Sequence, residues 1–283
     1  MRANLGEMEA RQQIQLNIRA HDKVATRYEK VHGEIYNPTE QRRLRQKLAF
    51  AISEVRTSGG QKTALDFGCG AGNLTRHLLE AGLRVTAADV SPKFLDLILT
   101  SFAGTRQLDT FVLNGSDLSG LPDGGFDLAG SYSVLHHIPD YLAAIAEMIR
   151  VVRPGGIIYL DHEHNESYWN PSPAYRELQR LAPLPRHWSR FLRPFNYYHR
   201  LRLMLNPRFQ LEGDIHIFND DHIEWKQVER VVGERGCEIV LNENYLLCQR
   251  HYPQDVYEAF RRRCSDMRLL IARKRQTLDR IAL

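Results

Sequence analysis

The stretch Leu65-Asp66-Phe67-Gly68-Cys69-Gly70-Ala71-Gly72 places a glycine-rich loop directly after a short apolar run. Thr63 to Phe67 is predicted to be a buried strand, and Leu74 to Ala81 the helix that follows the loop. Glycines at such a junction let the backbone turn tightly and approach a ligand closely. Asp89 closes the next predicted strand, where a carboxylate can accept hydrogen bonds from ribose hydroxyls. The loop and Asp89 together predict a nucleoside-binding site.

The spacing of these glycines distinguishes the loop from two other ligand-binding loops. A dinucleotide-binding fingerprint reads G-x-G-x-x-G, whereas this loop reads G-x-G-x-G and has Asn73 where the third glycine would stand. A P-loop would end in G-K-[ST], which is absent here. The loop therefore fits neither pattern.

Apolar runs alternate with helical periods on both sides of the loop. This alternation of predicted strands and helices indicates βαβ units and an α/β fold with a mostly parallel sheet. A helix is expected after the Asn37-Pro38 cap, and Pro154-Gly155-Gly156 is expected to stop another helix. Asp221 to Glu224 resembles a capping box for a helix that ends at Gly236. The predicted strands are 63–67, 84–89, 110–113, 126–132, 157–160, 237–247 and 267–272.

The chain divides into four predicted regions. Residues 1–60 form an N-terminal helical cap, and residues 61–163 form the cofactor-binding core. Residues 164–213 break the βα rhythm and are expected to form a substrate lid inserted after the fifth strand. Residues 214–283 complete the core sheet and carry an inserted helix near residues 255–263.

The composition is that of a folded globular protein, because 43% of the 283 residues are hydrophobic and 25% are charged. A net charge of +4 does not by itself indicate nucleic acid. The four cysteines form no C-x-x-C pair, so neither a zinc site nor a disulfide framework is predicted. The N-terminal residues lack the apolar core of a signal peptide, and no apolar run is long enough to cross a bilayer. A cytoplasmic location is expected.

Six elements in order give the chain a family resemblance over roughly residues 20–163. It resembles the class I S-adenosylmethionine-dependent methyltransferases, especially the group with a Leu-His-His motif, and the resemblance implies a Rossmann-like sheet of seven strands with helices on both faces. It also implies an antiparallel last strand. The six elements are Leu65 to Gly72, Ala88-Asp89-Val90-Ser91, Asp117-Leu118, Phe126-Asp127-Leu128, Val134-Leu135-His136-His137-Ile138 and Arg153-Pro154-Gly155-Gly156.

The resemblance implies roles for individual residues toward the cofactor, S-adenosylmethionine. The methionine part would be held by Asp66 and the backbone of Gly68 and Gly70, with Cys69 between them as a small packing residue of the loop. The ribose would be bound by Asp89, and the adenine would be sandwiched by Val90 and Leu118 and would meet Asp117 through its amino group. Ser131 would line the methionine pocket.

Two histidines follow the fourth predicted strand, near the expected position of the methyl group. Histidine titrates near neutral pH, so His136 and His137 are candidate bases for a nucleophile that must lose a proton. His137 is the preferred base, whereas His136 is expected to pack against the cofactor; a structural role for these histidines stays open. Tyr28 is a candidate for covering the cofactor, or for packing within an amphipathic helix.

A second polar group, Asp161 to His164, follows the fifth predicted strand. Members of the resembled family often have an acid here that orients the base. This sequence has His162 at the expected position, with Asp161 and Glu163 on either side, and Asp161 is taken as a catalytic candidate. The spacing of these side chains matches no metal-binding pattern, so no metal is predicted.

Residues 174–208 combine arginines with aromatic and leucine side chains. This composition fits an anionic substrate, an amphiphilic substrate or membrane surface, or, third, RNA. A solvated lid whose arginines pair with acids elsewhere is the alternative. The predicted function is methyl transfer to oxygen or nitrogen of a small anionic or amphiphilic molecule. An RNA or protein methyltransferase and a non-catalytic cofactor-binding protein are the alternatives, and the oligomeric state is left open. The arginines are Arg176, Arg180, Arg186, Arg190, Arg193, Arg200, Arg202 and Arg208.

Overall fold

A computed structural model describes residues 34–183 and 222–276 of the chain. Their strands form one seven-stranded sheet in the order β3-β2-β1-β4-β5-β7-β6. The first five strands run parallel to one another, and β7 is antiparallel to both β5 and β6. The predicted α/β class and the antiparallel last strand are confirmed. The strands are β1 (Thr63–Phe67), β2 (Arg84–Asp89), β3 (Leu108–Val112), β4 (Phe126–Tyr132), β5 (Val152–His164), β6 (Cys237–Tyr245) and β7 (Met267–Lys274).

Helices cover both faces of the sheet and divide the core into two halves. On one face, Ile145 and Val228 of two helices pack with Leu160 of β5. On the other face, Leu44 and Leu74 of two further helices pack with sheet residues that include Tyr132 and Tyr159. The helices are α1 (Pro38–Ser53), α2 (Asn73–Glu80), α3 (Pro92–Ser101), α4 (Tyr141–Val151), α5 (Glu166–Trp169), α6 (Pro173–Leu181), α7 (Trp225–Glu234) and α8 (Gln254–Phe260), and Leu135–His137 forms a 3-10 turn.

The predicted start of α1 is confirmed at its cap. Asn37 Oδ1 accepts a hydrogen bond from the backbone N–H of Glu40 at 2.9 Å, and Pro38 is the first helical residue. The cap satisfies one of the backbone donors that the first turn of a helix leaves without a partner.

Two sequence-based boundaries are wrong. The helix expected before Pro154-Gly155-Gly156, α4, ends at Val151 as predicted, but β5 is much longer than the predicted strand 157–160, because the chain enters the strand directly at Val152. The predicted capping box at Asp221 to Glu224 is also wrong, since α7 begins at Trp225 and its cap residue, Glu224, makes no side-chain capping bond. The backbone N–H of Glu224 instead donates to the hydroxyl of Tyr141 at 3.0 Å, which ties the start of α7 to α4.

The described part of the predicted lid contains α5 and α6, and residues 184–213 lie outside the described residues. Within residues 34–183 and 222–276, no helix combines the length and apolar character needed to cross a membrane. The same residues contain no cluster of three metal-ligating side chains.

A buried network of charges and hydroxyls fixes α1 to the end of β5. Arg43 Nη2 lies 2.9 Å from Asp161 Oδ2 and 2.5 Å from Glu40 Oε1. The hydroxyls of Tyr159 and Tyr245 donate to Asp161 at 2.5 and 3.1 Å, and the Asp161 side chain is 0% exposed. This corrects the prediction of Asp161 as a catalytic residue, because its carboxylate is fully engaged in holding helix and sheet together.

Replacing Asp161 by alanine is expected to destabilise the protein strongly. The change leaves the buried Arg43 guanidinium with only Glu40 as an acidic partner, and breaking a buried pair in this way costs about 3–5 kcal/mol. The matched control is Asp109→Ala, which removes an exposed ion pair with Arg84 and should cost less than about 1 kcal/mol. Urea denaturation measures both free energies of unfolding. Equal costs for the two variants would mean that the network does not anchor α1.

Candidate active site

A cavity of about 480 Å³ opens where β1, β2 and β4 end. Ligands of parallel α/β sheets bind outside these carboxyl ends of the strands, and a volume of this size suits a small ligand. Most of the predicted cofactor residues meet here. The wall includes Asp66, Gly68, Cys69, Gly70, Asp89, Val90, Asp117, Leu118, Ser133, Val134 and His137.

The glycine loop forms the floor of the cavity. Gly68 has a φ of +73°, which favours glycine, and a Cβ placed on it would lie 2.5 Å from Val134 Cγ1. Any side chain at this position would therefore push on the loop after β4 or project where a ligand needs close access to the backbone.

Asp89 links the glycine loop to the end of β2. One carboxylate oxygen accepts from the backbone N–H of Gly70 at 2.9 Å, and the other accepts from that of Ser91 at 2.8 Å. These bonds hold the carboxylate at the cavity wall in a fixed orientation. A fixed carboxylate can accept hydrogen bonds from ligand hydroxyls without first losing conformational freedom.

Asp66 lies deeper, beneath the loop. The Thr75 hydroxyl donates to Asp66 at 2.5 Å. Burial raises the pKa of Asp66 to about 7 against the opposing effect of the Thr75 bonds, and the negative charge of Asp89 adds to the rise. The same causes, burial first and then the charges of Asp89 and Asp66, raise the pKa of the Cys69 thiol well above its usual range. Cys69 is therefore a packing residue of the loop, not a nucleophile.

The other end of the cavity is lined by the three residues that were assigned to adenine, Val90, Asp117 and Leu118. Asp117 accepts hydrogen bonds from the Ser119 hydroxyl at 2.6 Å and from Asn114 Nδ2 at 2.9 Å. These bonds, that from the Ser119 side chain first, lower the pKa of Asp117 to about 2, so its carboxylate is ionised at neutral pH. An ionised carboxylate is a suitable acceptor for an exocyclic amino group.

Ser131 is not part of the cavity wall. Its hydroxyl is buried and has no hydrogen-bond partner among the described residues, and the lining contains Ser133 instead. Ser133 has a φ of +61°, and its N–H donates to the carbonyl of Asp161 at 3.0 Å. Ser133, two residues further along the chain, therefore takes the place in the cavity wall that was predicted for Ser131.

The end of β5 breaks the regular alternation of a strand. The register with β7 shifts between Leu160 and Glu163, and His162 has a φ of +62°. Asp161 faces the α1 side, and the His162 ring also packs on Tyr132 of that side, at 4.8 Å between ring centroids. Glu163 is then carried to the opposite side, where it reaches the turn after β4. Such a bulge lets the consecutive side chains of Asp161 and His162 lie on the same side of the sheet, whereas a regular strand would point them to opposite sides.

Glu163 is the partner of His136. His136 Nδ1 lies 2.7 Å from Glu163 Oε2, and Glu163 Oε1 accepts from the backbone N–H groups of Val134 and Leu135 at 2.8 and 2.7 Å. The His136 and His137 rings lie 4.0 Å apart between centroids, and His137 lines the cavity. The acid expected at position 162 is therefore supplied by the next residue, and it orients His136.

Several residues of the cavity wall have no sequence-based assignment, and two of them precede α1. Ile35 and Tyr36 contribute to the wall just before α1 begins. The sequence feature that could have identified Ile35 and Tyr36 is their position directly before the Asn37-Pro38 cap. Residues that lead into a capped helix lie next to the start of that helix. Tyr28 lies outside the described residues, as do six of the eight arginines. Arg176 and Arg180, on α6, are the two described ones.

Comparisons with known proteins identify the family. A sequence profile described as a methyltransferase domain matches residues 65–160. A ubiquinone biosynthesis O-methyltransferase of Xanthomonas oryzae pv. oryzae (strain PXO99A) is 32% identical over 176 residues, which cover 59% of this chain and 69% of the relative. The chain belongs to the class I S-adenosylmethionine-dependent methyltransferases. A relative of the same description from Xanthomonas campestris pv. campestris (strain B100) is 30% identical over 52% of this chain, which spans 63% of that relative's length.

Solved structures show the same fold. An S-adenosylmethionine-dependent methyltransferase from Methanosarcina mazei has a TM-score of 0.51 at 21% identity, covering 79% of this chain and 96% of that one. Another from Mesorhizobium loti has a TM-score of 0.50 at 19% identity, covering 81% and 96% of the two chains.

The cavity of this methyltransferase fits the cofactor of its family. Because Gly68 has no side chain, a ligand can approach the backbone of the loop closely. Asp89, at the end of the neighbouring strand β2, presents an oriented carboxylate. Between them lies room of about 480 Å³. S-adenosylmethionine would be held by the glycine loop at its amino-acid end, by Asp89 at its ribose and by Val90, Asp117 and Leu118 at its adenine.

Replacing Asp89 by asparagine is expected to weaken cofactor binding by about tenfold to a hundredfold, because hydrogen bonds to a charged acceptor contribute about 1.5–3 kcal/mol. Isothermal titration of the methyltransferase with S-adenosylhomocysteine measures the affinity without turnover. Asp109→Asn, on the neighbouring strand and exposed, is the matched control and should bind normally. Unchanged affinity in Asp89→Asn would remove the ribose assignment.

Proposed function

We propose that the chain transfers a methyl group from S-adenosylmethionine to a hydroxyl oxygen of a small molecule. The observation that carries this proposal is the hydrogen bond between His136 Nδ1 and Glu163, at the turn that leads into the cavity wall. The names of the relatives, which are O-methyltransferases, support an oxygen acceptor.

A hydroxyl acceptor needs a base more than most nucleophiles do. When bound, S-adenosylmethionine supplies a methyl group that is already strongly electrophilic, so the protein has to position the acceptor and remove its proton. A neutral hydroxyl is a weak nucleophile, and it becomes stronger as its proton is drawn to a base.

The hydrogen bonding of Glu163 fixes the tautomer of His136. An ionised carboxylate can only accept, so the proton between the two groups belongs to His136 Nδ1, and Nε2 is the basic nitrogen of the ring. Burial alone would raise the pKa of Glu163, but the adjacent His136 and the backbone N–H groups of Leu135 and Val134 outweigh it and lower the pKa. Glu163 therefore stays ionised at neutral pH and stabilises the imidazolium that forms when Nε2 takes a proton.

The two histidines have different roles in this proposal. His136 is the base, because its Nδ1 contacts the Glu163 carboxylate, and His137 shapes the cavity wall beside it. The sequence analysis preferred His137, and the contact with Glu163 moves the assignment by one residue. Glu163 acts through His136 and is a positioning residue.

The acceptor is proposed to be a small anionic or amphiphilic molecule, because the arginines of residues 174–208 would pair with a negative charge on it. Support for this part comes from the sequence, since only Arg176 and Arg180 of those arginines are described. No contact among residues 34–183 and 222–276 favours RNA or protein as the acceptor.

The substitution Glu163→Gln is expected to lower kcat by about a thousandfold. The KM for S-adenosylmethionine should stay nearly unchanged. Glutamine can keep accepting from the backbone N–H groups, but its NH₂ group would donate to His136 Nδ1 and force the proton onto Nε2, where the base is needed. Affinity for S-adenosylhomocysteine and the unfolding midpoint should stay close to those of the parent chain. Steady-state kinetics with methyl-labelled S-adenosylmethionine and an extract of the source cells measure the loss.

Glu224→Gln is the matched control, because Glu224 lies 3.5 Å from His222 in an exposed histidine–carboxylate pair outside the cavity. It should be as active as the parent chain. A Glu163→Gln variant that keeps its kcat would refute the proposed base, and a parent chain that labels no product from the extract would refute the function itself.

A further inference from the structure

The adenine end of the cavity is formed by the loop between β3 and β4. Leu113 and residues 115–118 of this loop line the cavity, and none of them belongs to a helix or strand. Because a loop lacks the hydrogen-bond ladder of a sheet, its position depends on the groups that neighbouring elements offer it. The contacts that hold this loop therefore determine where Asp117 and Leu118, two of the residues assigned to adenine, lie.

One set of contacts is local. Asn114 Nδ2 donates to Asp117 Oδ1 at 2.9 Å, and Asn114 Oδ1 accepts from the backbone N–H groups of Ser116 and Asp117 at 2.7 and 3.0 Å. All three bonds join residues within three positions of one another. They give the turn its shape and orient the Asp117 carboxylate, but they do not fix the turn relative to the rest of the cavity.

A second set of contacts comes from α4 and fixes the loop to the core. Glu147 Oε2 accepts from the backbone N–H of Leu118 at 3.1 Å. Arg150 Nη2 donates to the carbonyl of Leu118 at 2.7 Å, and Arg150 Nη1 donates to that of Leu121 at 3.1 Å. The N–H and the C=O of one residue, Leu118, are thus held by side chains that lie one helical turn apart on α4.

These two side chains also hold each other. Arg150 Nε lies 3.0 Å from Glu147 Oε1, and Arg150 Nη2 lies 2.9 Å from Glu147 Oε2, which makes a bidentate pair at i,i+3. The hydrogen bonds from Arg150 are the largest cause that lowers the pKa of Glu147, so its carboxylate is ionised at neutral pH. Ile145 and Met148 of the same helix are buried in the core. The pair therefore projects from a firmly packed helix.

We propose that Arg150, together with Glu147, positions Asp117 and thereby makes the protein select a cofactor base that carries an amino group. Arg150 is not among the described residues that line the cavity, so it acts through the loop and is a positioning residue. The inference concerns the cofactor and not the acceptor. It goes beyond the proposed function and is tested by binding alone.

The chemistry of an ionised carboxylate supports this selection. Asp117 can only accept hydrogen bonds, and the exocyclic amino group of adenine donates them. A base with a carbonyl oxygen at the same position would place two acceptors face to face. Hydrogen bonds weaken steeply as distance and angle depart from their preferred values. A loop that Arg150 no longer holds would therefore lose the preference for the amino group before it loses the cavity itself.

The test measures the affinity of the parent chain and of Arg150→Gln for two ligands by isothermal titration. The ligands are S-adenosylhomocysteine and S-inosylhomocysteine, which has a carbonyl oxygen in place of the amino group. The parent chain should bind the adenosyl ligand at least about tenfold more tightly, the effect expected of one hydrogen bond to a charged acceptor. Arg150→Gln should weaken the adenosyl ligand by about tenfold and the inosyl ligand by less than about twofold.

A double-mutant cycle tests whether Arg150 acts through Asp117. Asp117→Ala alone should abolish the preference between the two ligands. Adding Arg150→Gln to Asp117→Ala should then weaken the adenosyl ligand by less than about twofold more, because coupled residues do not contribute additively. Arg261→Gln is the matched control, since it removes an i,i+3 pair with Glu258 on α8, outside the cavity wall, and should bind both ligands as the parent chain does.

Arg150→Lys keeps the test open if Arg150→Gln does not fold. Lysine retains the charge but not the fork that reaches two carbonyls and a carboxylate, so it should show a smaller loss of the same preference. Thermal unfolding of each variant reports whether it is folded at the temperature of the titration.

Four outcomes would overturn the inference. They are an equal loss of affinity for both ligands in the Arg150 variants, an unchanged preference in those variants, a further tenfold loss when Arg150→Gln is added to Asp117→Ala, and a parent chain that does not prefer the adenosyl ligand. The first would make Arg150 a structural residue only. Because no turnover is measured, a failure of the proposed function leaves each of these outcomes readable.

Discussion

The left-handed backbone at His162 determines which side chains meet at the end of β5. In a regular strand, Asp161 and Glu163 would project to the same face of the sheet. The single bulge separates them, so that Asp161 anchors α1 through Arg43 while Glu163 reaches His136 on the opposite face. One short stretch of chain thus supplies both the anchor of α1 and the carboxylate that contacts His136, and both depend on the residue between them holding an unfavourable conformation.

The parts of the fold that are local in sequence were predictable. The glycine loop, Asp89 at the end of β2 and the Asn37-Pro38 cap each depend on residues within a few positions of one another, and each lies where the pattern predicted it. The antiparallel last strand followed from the family resemblance and is confirmed by the pairing of β7 with β5. Local chemistry and a shared order of motifs were sufficient for these features.

The remainder depends on geometry that a linear pattern does not contain. The family resemblance put the expected acid at position 162, and strand alternation does not reveal the bulge that brings Glu163 to His136 and Asp161 to Arg43. The same limit applies to Ser131, because the positive φ of Ser133 reverses the chain and presents the later serine to the cavity. Contacts such as that between Glu163 and His136 join residues 27 positions apart and become visible only once β4 and β5 lie side by side.

The buried thiol of Cys69 has a consequence for how the cofactor loop tolerates oxidants. Its pKa is raised by burial, and burial likewise raises the pKa values of Cys237, Cys248 and Cys264. Thiolates, not thiols, react with peroxides, alkylating agents and disulfides, so all four sulfurs are chemically quiet at neutral pH. The loop can therefore include a cysteine without becoming a redox-sensitive point of the molecule.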